Sequence, residues 1–424
     1  MIPLFALALA SPPEVQPAEL PPPPAPRVLS DGTLWLEHDG PRVAVEALWA
    51  LPPEGGDQRL ALQLAAQALG ADRARIERVE RLGASWSVVG GVEGLTLRVQ
   101  APPETVEQAL VELVEGLQHL RGAREVRRSA RSWARWRGEV GLSLERIHRR
   151  GVNHAWYPPG HPSRHAASED ELAGLRARHV RGAVDTVLAS GQRRLAVVGR
   201  VDAARVARLS AIAPAGGDLV AERRGPGPRV GVTHVDRPGF DSALLSVCVA
   251  VPEPKDADAA RVLVGALAGD FNSRAVQDLR ETRGWIYTTR LQVVEGRICV
   301  ETESASEQAL DVLIALDGYL DGTRLTPGEL TRARAGFAVE LAGQSASAAE
   351  RAAWLVRAQG HEADARAWAA EIDVDALDAL GQVLLAPDRR VWVVTGDAAV
   401  IGPELIASGR TVRTVAAEEL AVRP

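Results

Sequence analysis

Apolar and polar positions along the chain follow two rhythms. Around Leu95, Leu97 and Val99, and again around Ile298 and Val300, apolar residues alternate with polar ones, the period of a half-buried strand. Over 106–120 and 310–320 apolar residues recur every three to four positions, which predicts helices that cover one face. The stretch "RLALQLAAQALGAD" (59–72) has the same helical period and contains nothing reactive. Pro102-Pro103 ahead of Glu104 and Thr326-Pro327 ahead of Glu329 are helix-start signals.

The pattern is written twice. "VAVEALWALPPEGGDQRLALQLAAQAL" (43–69) has a counterpart in "ALLSVCVAVPEPKDADAARVLVGALAG" (243–269): a strand-like run ends at Pro52 or Pro252, and an acidic turn and an Ala/Leu helix follow. "VEGLTLRVQAPPETVEQAL" (92–110) matches "VEGRICVETESASEQAL" (294–310), and "RRLAVVGRVDAA" (193–204) matches "RRVWVVTGDAAV" (389–400). Three ordered matches at nearly constant offset predict two homologous domains. Each reads strand, strand, helix, helix, strand, strand, helix, long helical tract, final strand. The fold class expected is therefore α+β, two tandem domains, each a mostly antiparallel sheet with helices packed on one side. "RRGPGPR" has the composition of an exposed linker. The division is 1–27 for a short apolar N-terminus and Pro-rich tether, 28–222 for the first domain, 223–228 for the linker and 229–424 for the second domain.

Composition narrows the function classes. With 46% hydrophobic and 25% charged residues the 424-residue chain can bury substantial cores. A net charge of −6 with acids and bases interleaved gives no footprint for nucleic acid. No apolar run reaches the roughly 20 residues of a membrane span. Arg127, Arg128, Arg131 and Arg135 lie at helical spacing and read as a solvated face. Cys248 and Cys299, each inside an apolar run, read as small buried residues. The N-terminal "MIPLFALALASPPEV" has the apolar core of an export signal without a positive n-region. Export to the periplasm or medium is the favoured expectation, a cytoplasmic location the other.

"GDFNSRAVQDLRETRGWIYTTRLQ" (269–292) is the most specific stretch of the chain. It resembles the second-domain signature of the insulinase/pitrilysin-like zinc peptidases, the family that includes the mitochondrial processing peptidase subunits. "WYPPGHPSR" (156–164) is similar to a segment late in that family's first domain, and the tandem α+β architecture agrees. Active members carry an inverted zinc motif, His-x-x-Glu-His, on the first helix of domain one, with Glu as general base. The residues aligned with it here are Gln63-Leu64-Ala65-Ala66-Gln67. Gln63 and Gln67 keep the i, i+4 geometry but are poor zinc ligands, Ala66 cannot move a proton, and residues 43–118 contain no histidine. The resemblance thus implies a member that binds no cofactor itself.

His148, His154, His161, His165 and His179 form the one histidine-rich span in which a substitute metal site could be sought. His161 and His165 are four apart with Pro162 between them, and the family's structural segment accounts for His161-Pro162.

The same resemblance implies what the second domain retains. Family members place an Arg and a Tyr, seven residues apart, against the substrate, and the matching residues are Arg280 and Tyr287. A guanidinium and a phenol can both donate hydrogen bonds to a peptide carbonyl or its oxyanion. Arg283 and Gly284 of the motif read as turn-shaping, and Trp285 replaces a small or aliphatic residue. The expectation is a non-catalytic subunit pairing with a paralogue that bears His-x-x-Glu-His and the zinc. Their substrate would be a peptide held as an added strand. The alternative is a stand-alone pseudopeptidase acting as a binding or scaffold module.

Overall fold

The structure, a computed structural model, describes residues 25–50, 56–91, 94–120, 126–132, 143–159, 161–164, 171, 174–217, 228–251, 256–294, 296–344, 346–358 and 373–421. The N-terminal segment 1–24, Pro52, Pro252, His165 and linker residues 223–227 lie outside them.

Two six-stranded sheets organise these residues. The first contains β1 (Arg27–Val28), β2 (Leu34–Leu36), β3 (Val43–Ala50), β4 (Ser85–Gly90), β5 (Gly94–Ala101) and β6 (Gln192–Val198), in the order β1-β2-β6-β3-β5-β4. The second contains β7 (Gly231–Asp236), β8 (Ser242–Ala250), β9 (Ile286–Val294), β10 (Arg297–Ala305), β11 (Val391–Gly396) and β12 (Val412–Ala416), in the order β12-β7-β11-β8-β10-β9. Most pairings are antiparallel; β2 with β6, β7 with β11 and β12 with β7 are parallel. The same central run, β6-β3-β5-β4 and β11-β8-β10-β9, recurs in both sheets, as the internal repeat predicts.

Each sheet buries one face under helices of its own half. In the first, α1 (Gly56–Gly70), α3 (Val106–Gln118) and α5 (Ala177–Ser190) bury Leu62, Leu113 and Val184 against Val45, Leu97 and Val197. In the second, α7 (Ala257–Val264), α8 (Ala309–Asp321), α9 (Pro327–Gln344) and α11 (Val374–Leu384) do the same over Leu245, Val300 and Val394. Local chemistry sets the helix starts. Asp72, Asp202 and Asp373 each accept a backbone N–H from the first turn. Thr326 and Glu329 form a reciprocal capping box at the start of α9. The other expected start moves: α3 begins at Val106, and Thr105 instead donates to the Leu82 carbonyl.

The other face of each sheet is covered by a helix from the opposite half, which the one-sided layering does not convey. Helix α4 (Leu144–Trp156) packs Ile147, Val152 and Ala155 onto Val235, Val391 and Val393 of the second sheet. Helix α10 (Ala348–Ala358) packs Ala352, Leu355 and Val356 onto Ala44, Leu48 and Val198 of the first. The approach is close: a Cβ on Gly151 would stand 2.6 Å from Val235 Cγ2. One buried ionisable group in each layer is hydrogen-bonded. Beneath α10, buried Glu46 accepts a bidentate pair of bonds from Arg98 at 2.7 and 3.0 Å. Beneath α4, fully buried His148 bonds Thr395 Oγ1 at 2.8 Å and Ser246 Oγ at 2.7 Å. Burial pushes the His148 pKa down to about 3.

The two cysteines correct an expectation. They are buried, 0% and 5% exposed, but they are not separate thiols: Cys248 and Cys299 form a disulfide. They lie directly opposite each other on neighbouring strands β8 and β10, with Cα atoms 4.1 Å apart, under α4.

Candidate substrate-contact site

Helix α1 turns Leu62, Leu64, Ala65, Ala68 and Leu69 into the core, because they repeat at helical spacing. That leaves Gln63 and Ala66 half-buried and Gln67 exposed, on the part of the helix that is not core. The helix lies against β4, an edge of the first sheet. Gly90 permits this, since a Cβ there would stand 2.3–2.5 Å from backbone atoms of Leu62 and Gln63. Among the described residues β4 is an edge of its sheet, and the three motif positions of the helix beside it carry amide and methyl groups only. Zinc needs imidazole, thiolate or carboxylate donors, and these positions do not fit it. Among the described residues, no group of three His, Cys, Asp or Glu side chains could hold a metal ion.

The histidines have other roles. His148 lies between two hydroxyls. The ring of His161 stacks on Tyr157 at 4.1 Å and accepts the Ser163 N–H. His154 sits against Arg164, and burial together with that guanidinium pushes its pKa down to about 4.

The second-half signature folds into a compact unit. The chain leaves α7 through a π-helical turn, Gly265–Gly269, and enters another, Val276–Thr282, before β9. Such turns recur at functional sites. Buried Ser273 accepts the Val276 N–H, and Arg274 binds Glu329 at 2.6 Å and the carbonyls of Gly322 and Arg324. The Arg274 hydrogen bond holds the Glu329 carboxyl down to about 2. Arg283 pairs with Asp278 at 2.9 Å and stacks over Trp285 at 4.6 Å, and Gly284 turns at φ +67°. Asp278 also accepts from Tyr319, the main reason its pKa is lowered. Arg283 and Gly284 thus shape the turn, and Trp285 is held by Arg283.

Arg280 and Tyr287 flank this turn. Arg280 is exposed, with its guanidinium 5.7 Å from the Phe271 ring centroid. Tyr287 is 57% exposed on β9, the edge of the second sheet. Glu303 pairs with Thr288 and Ser304 with Ile286, so Tyr287 is the extra residue of a β-bulge. Bulges of this kind re-aim a side chain. Among the described residues, no hydrogen bond or ion pair joins Arg280 or Tyr287 to Gln63, Ala66 or Gln67.

Beside β9 the structure adds what the sequence did not single out. A cavity of about 370 Å³ is lined by Leu291 of β9, by Phe271 and Asp270 of the signature, and by Phe337 and Glu340 of α9. The "GDFNSR" opening was the available signal; the contribution of α9 was not.

Solved structures carry the same architecture. A peptidase M16 inactive domain from Pseudomonas fluorescens matches at TM-score 0.75 and 17% identity, over 88% of this chain and 98% of that one. The fold is that of the peptidase M16 structures. A protease from Helicobacter pylori matches at TM-score 0.71 and 15% identity, over 87% of this chain and 98% of that one. The periplasmic protease PqqL from Escherichia coli matches at TM-score 0.66 and 13% identity, over 88% of this chain and 45% of its own. No family model and no curated protein matches the sequence. Among the described residues, no helix is long and apolar enough to cross a membrane.

Proposed function

We propose that this M16-fold chain is a non-catalytic subunit of a zinc peptidase of the insulinase/pitrilysin type, pairing with a paralogue that carries His-x-x-Glu-His and the metal. The carrying observation is asymmetry. The motif positions Gln63, Ala66 and Gln67 offer no metal ligand, while Arg280 and Tyr287 are exposed around a bulged strand that, among the described residues, is the edge of its sheet. A peptide adding to β9 would use its free backbone groups. The Arg280 guanidinium and Tyr287 phenol then donate hydrogen bonds to peptide carbonyls, orienting the chain for chemistry performed by the partner. The Cys248–Cys299 disulfide supports an oxidising compartment, periplasmic or extracellular, as the working location.

The test is reconstitution. Peptidase activity is expected only when this chain and the zinc-bearing paralogue are mixed. Arg280→Ala or Tyr287→Phe is expected to lower it by about 100-fold or more, the scale of a lost oxyanion donor. A mixture that cleaves equally well with both substitutions refutes the trans-acting role. A stable homodimer that ignores every such paralogue favours the scaffold reading instead.

A further inference from the structure

The charged groups lining the cavity beside β9 are not equivalent. Glu340 is paired with Arg261. Glu329 is held by Arg274 and by Thr326. Arg332 is an exposed cation on α9. Asp270 differs from all of these. Among the described residues, no hydrogen bond or ion pair engages its carboxylate, which feels only the less direct charge of Arg261.

The fold leaves room beside this carboxylate, which has no protein donor among the described residues. Although Asp270 as a residue is exposed, its carboxylate is tucked between two helical segments, each of which presents a glycine. A Cβ on Gly265 would stand 2.8 Å from Oδ2, and one on Gly336 would stand 3.8 Å from it. Burial raises the carboxyl pKa, as expected for an acceptor that lacks donors. Leu291, Phe271, Ala266, Ala333 and Phe337 supply apolar walls, and Asn272 and Ser273 add polar ones.

We propose that this cavity is a specificity pocket for a basic side chain, arginine or lysine, of a peptide added to the edge of β9. The inference rests on the peptide-contact reading above and names the substrate class that reading leaves open. Thr289, Leu291 and Val293 pair with Thr302, Val300 and Ile298, and the last two of these belong to the helix-side core. Every second residue of an added strand therefore faces the same side, toward the cavity. The aliphatic stem of Arg or Lys lies against Leu291, Phe271 and Phe337, and its cationic head supplies the donors that Asp270 lacks. An acidic side chain in the same place meets an uncompensated carboxylate.

Two fluorescein-labelled ten-residue peptides, identical except for arginine or norleucine at the centre, test this by anisotropy with the full chain, alone and with its zinc-bearing partner. The arginine peptide is expected to bind about tenfold tighter, the scale of one charge-assisted hydrogen bond. Asp270→Asn is expected to abolish that preference. Asp270→Arg is expected to transfer it to a peptide with glutamate at the centre, a gain that a misfolded variant cannot show. Equal binding of the arginine and norleucine peptides overturns the pocket and leaves peptide contact along β9 intact. Failure of both peptides to bind in either setting overturns the pocket and the peptide-contact reading together. Arg280→Ala separates the two sites: it is expected to weaken both peptides alike, since it acts on the peptide backbone.

Discussion

Reducing the Cys248–Cys299 bond, or replacing both residues with alanine, should destabilise the second half selectively. The two residues are 51 apart in sequence, and closing a loop of that length removes chain entropy from the unfolded state. The loop-entropy relation gives about 4 kcal/mol at room temperature. In the folded state little holds the cysteines apart, because β8 and β10 already place them opposite each other. Most of the effect therefore acts through the unfolded chain. Urea unfolding of oxidised, TCEP-treated and Cys248→Ala/Cys299→Ala protein is the assay, with hydrogen exchange assigning each transition to one sheet, since two sheets need not unfold together. The expected result is a lower midpoint for strands β8 and β10 and an unchanged one for β3 and β5. Because both sulfurs are buried under α4, reduction of the native protein should also be slow and should accelerate with urea. Two free thiols in air-oxidised, denatured protein, or coincident midpoints with and without reductant, would refute the reasoning.

Two further predictions concern packing and charge. Gly90→Ala places a Cβ within 2.3–2.5 Å of the α1 backbone and should cost about 1–3 kcal/mol. Amide exchange should rise first in β4, and an unchanged melting temperature counts against the tight contact. His148→Gln should flatten the acid side of the stability curve. With the folded pKa at about 3 and the unfolded one near 6.5, the unfolded chain binds the extra proton between those values. Stability is therefore full above pH 6.5 and falls by about 1.4 kcal/mol per pH unit as pH drops toward 3. Glu301, 4.0 Å from His148 with its pKa raised by burial, contributes with the opposite sign. Urea midpoints across pH 4–7 that are parallel for wild type and variant would remove His148 from the account.

Much of this architecture is legible in one dimension, because its determinants are local or periodic. Strand alternation, helical spacing, the Thr326/Glu329 capping box and the doubled pattern near an offset of 200 residues all lie along the chain. So do the neutral side chains of Gln63, Ala66 and Gln67, none of which is a zinc ligand type. What the sequence could not supply are relations between residues far apart in it. The crossing of α4 and α10 onto the opposite sheets depends on which outer face each apolar stripe fits, and Ile147 and Leu355 look like any helical core positions. The disulfide depends on the register of β8 against β10, since a shift of one residue would put Cys248 and Cys299 on opposite faces. Tyr287 owes its position to a bulge that the alternation pattern hides. Asp270 became distinctive only when α9 was packed beside the signature. Gly265, where a Cβ would stand 2.8 Å from Oδ2, then leaves the space its carboxylate occupies. Sequence determined the elements and the neutral chemistry of Gln63, Ala66 and Gln67, because periodicity and side-chain chemistry act locally. Tertiary structure decided which faces, edges and charges meet, because that depends on long-range packing.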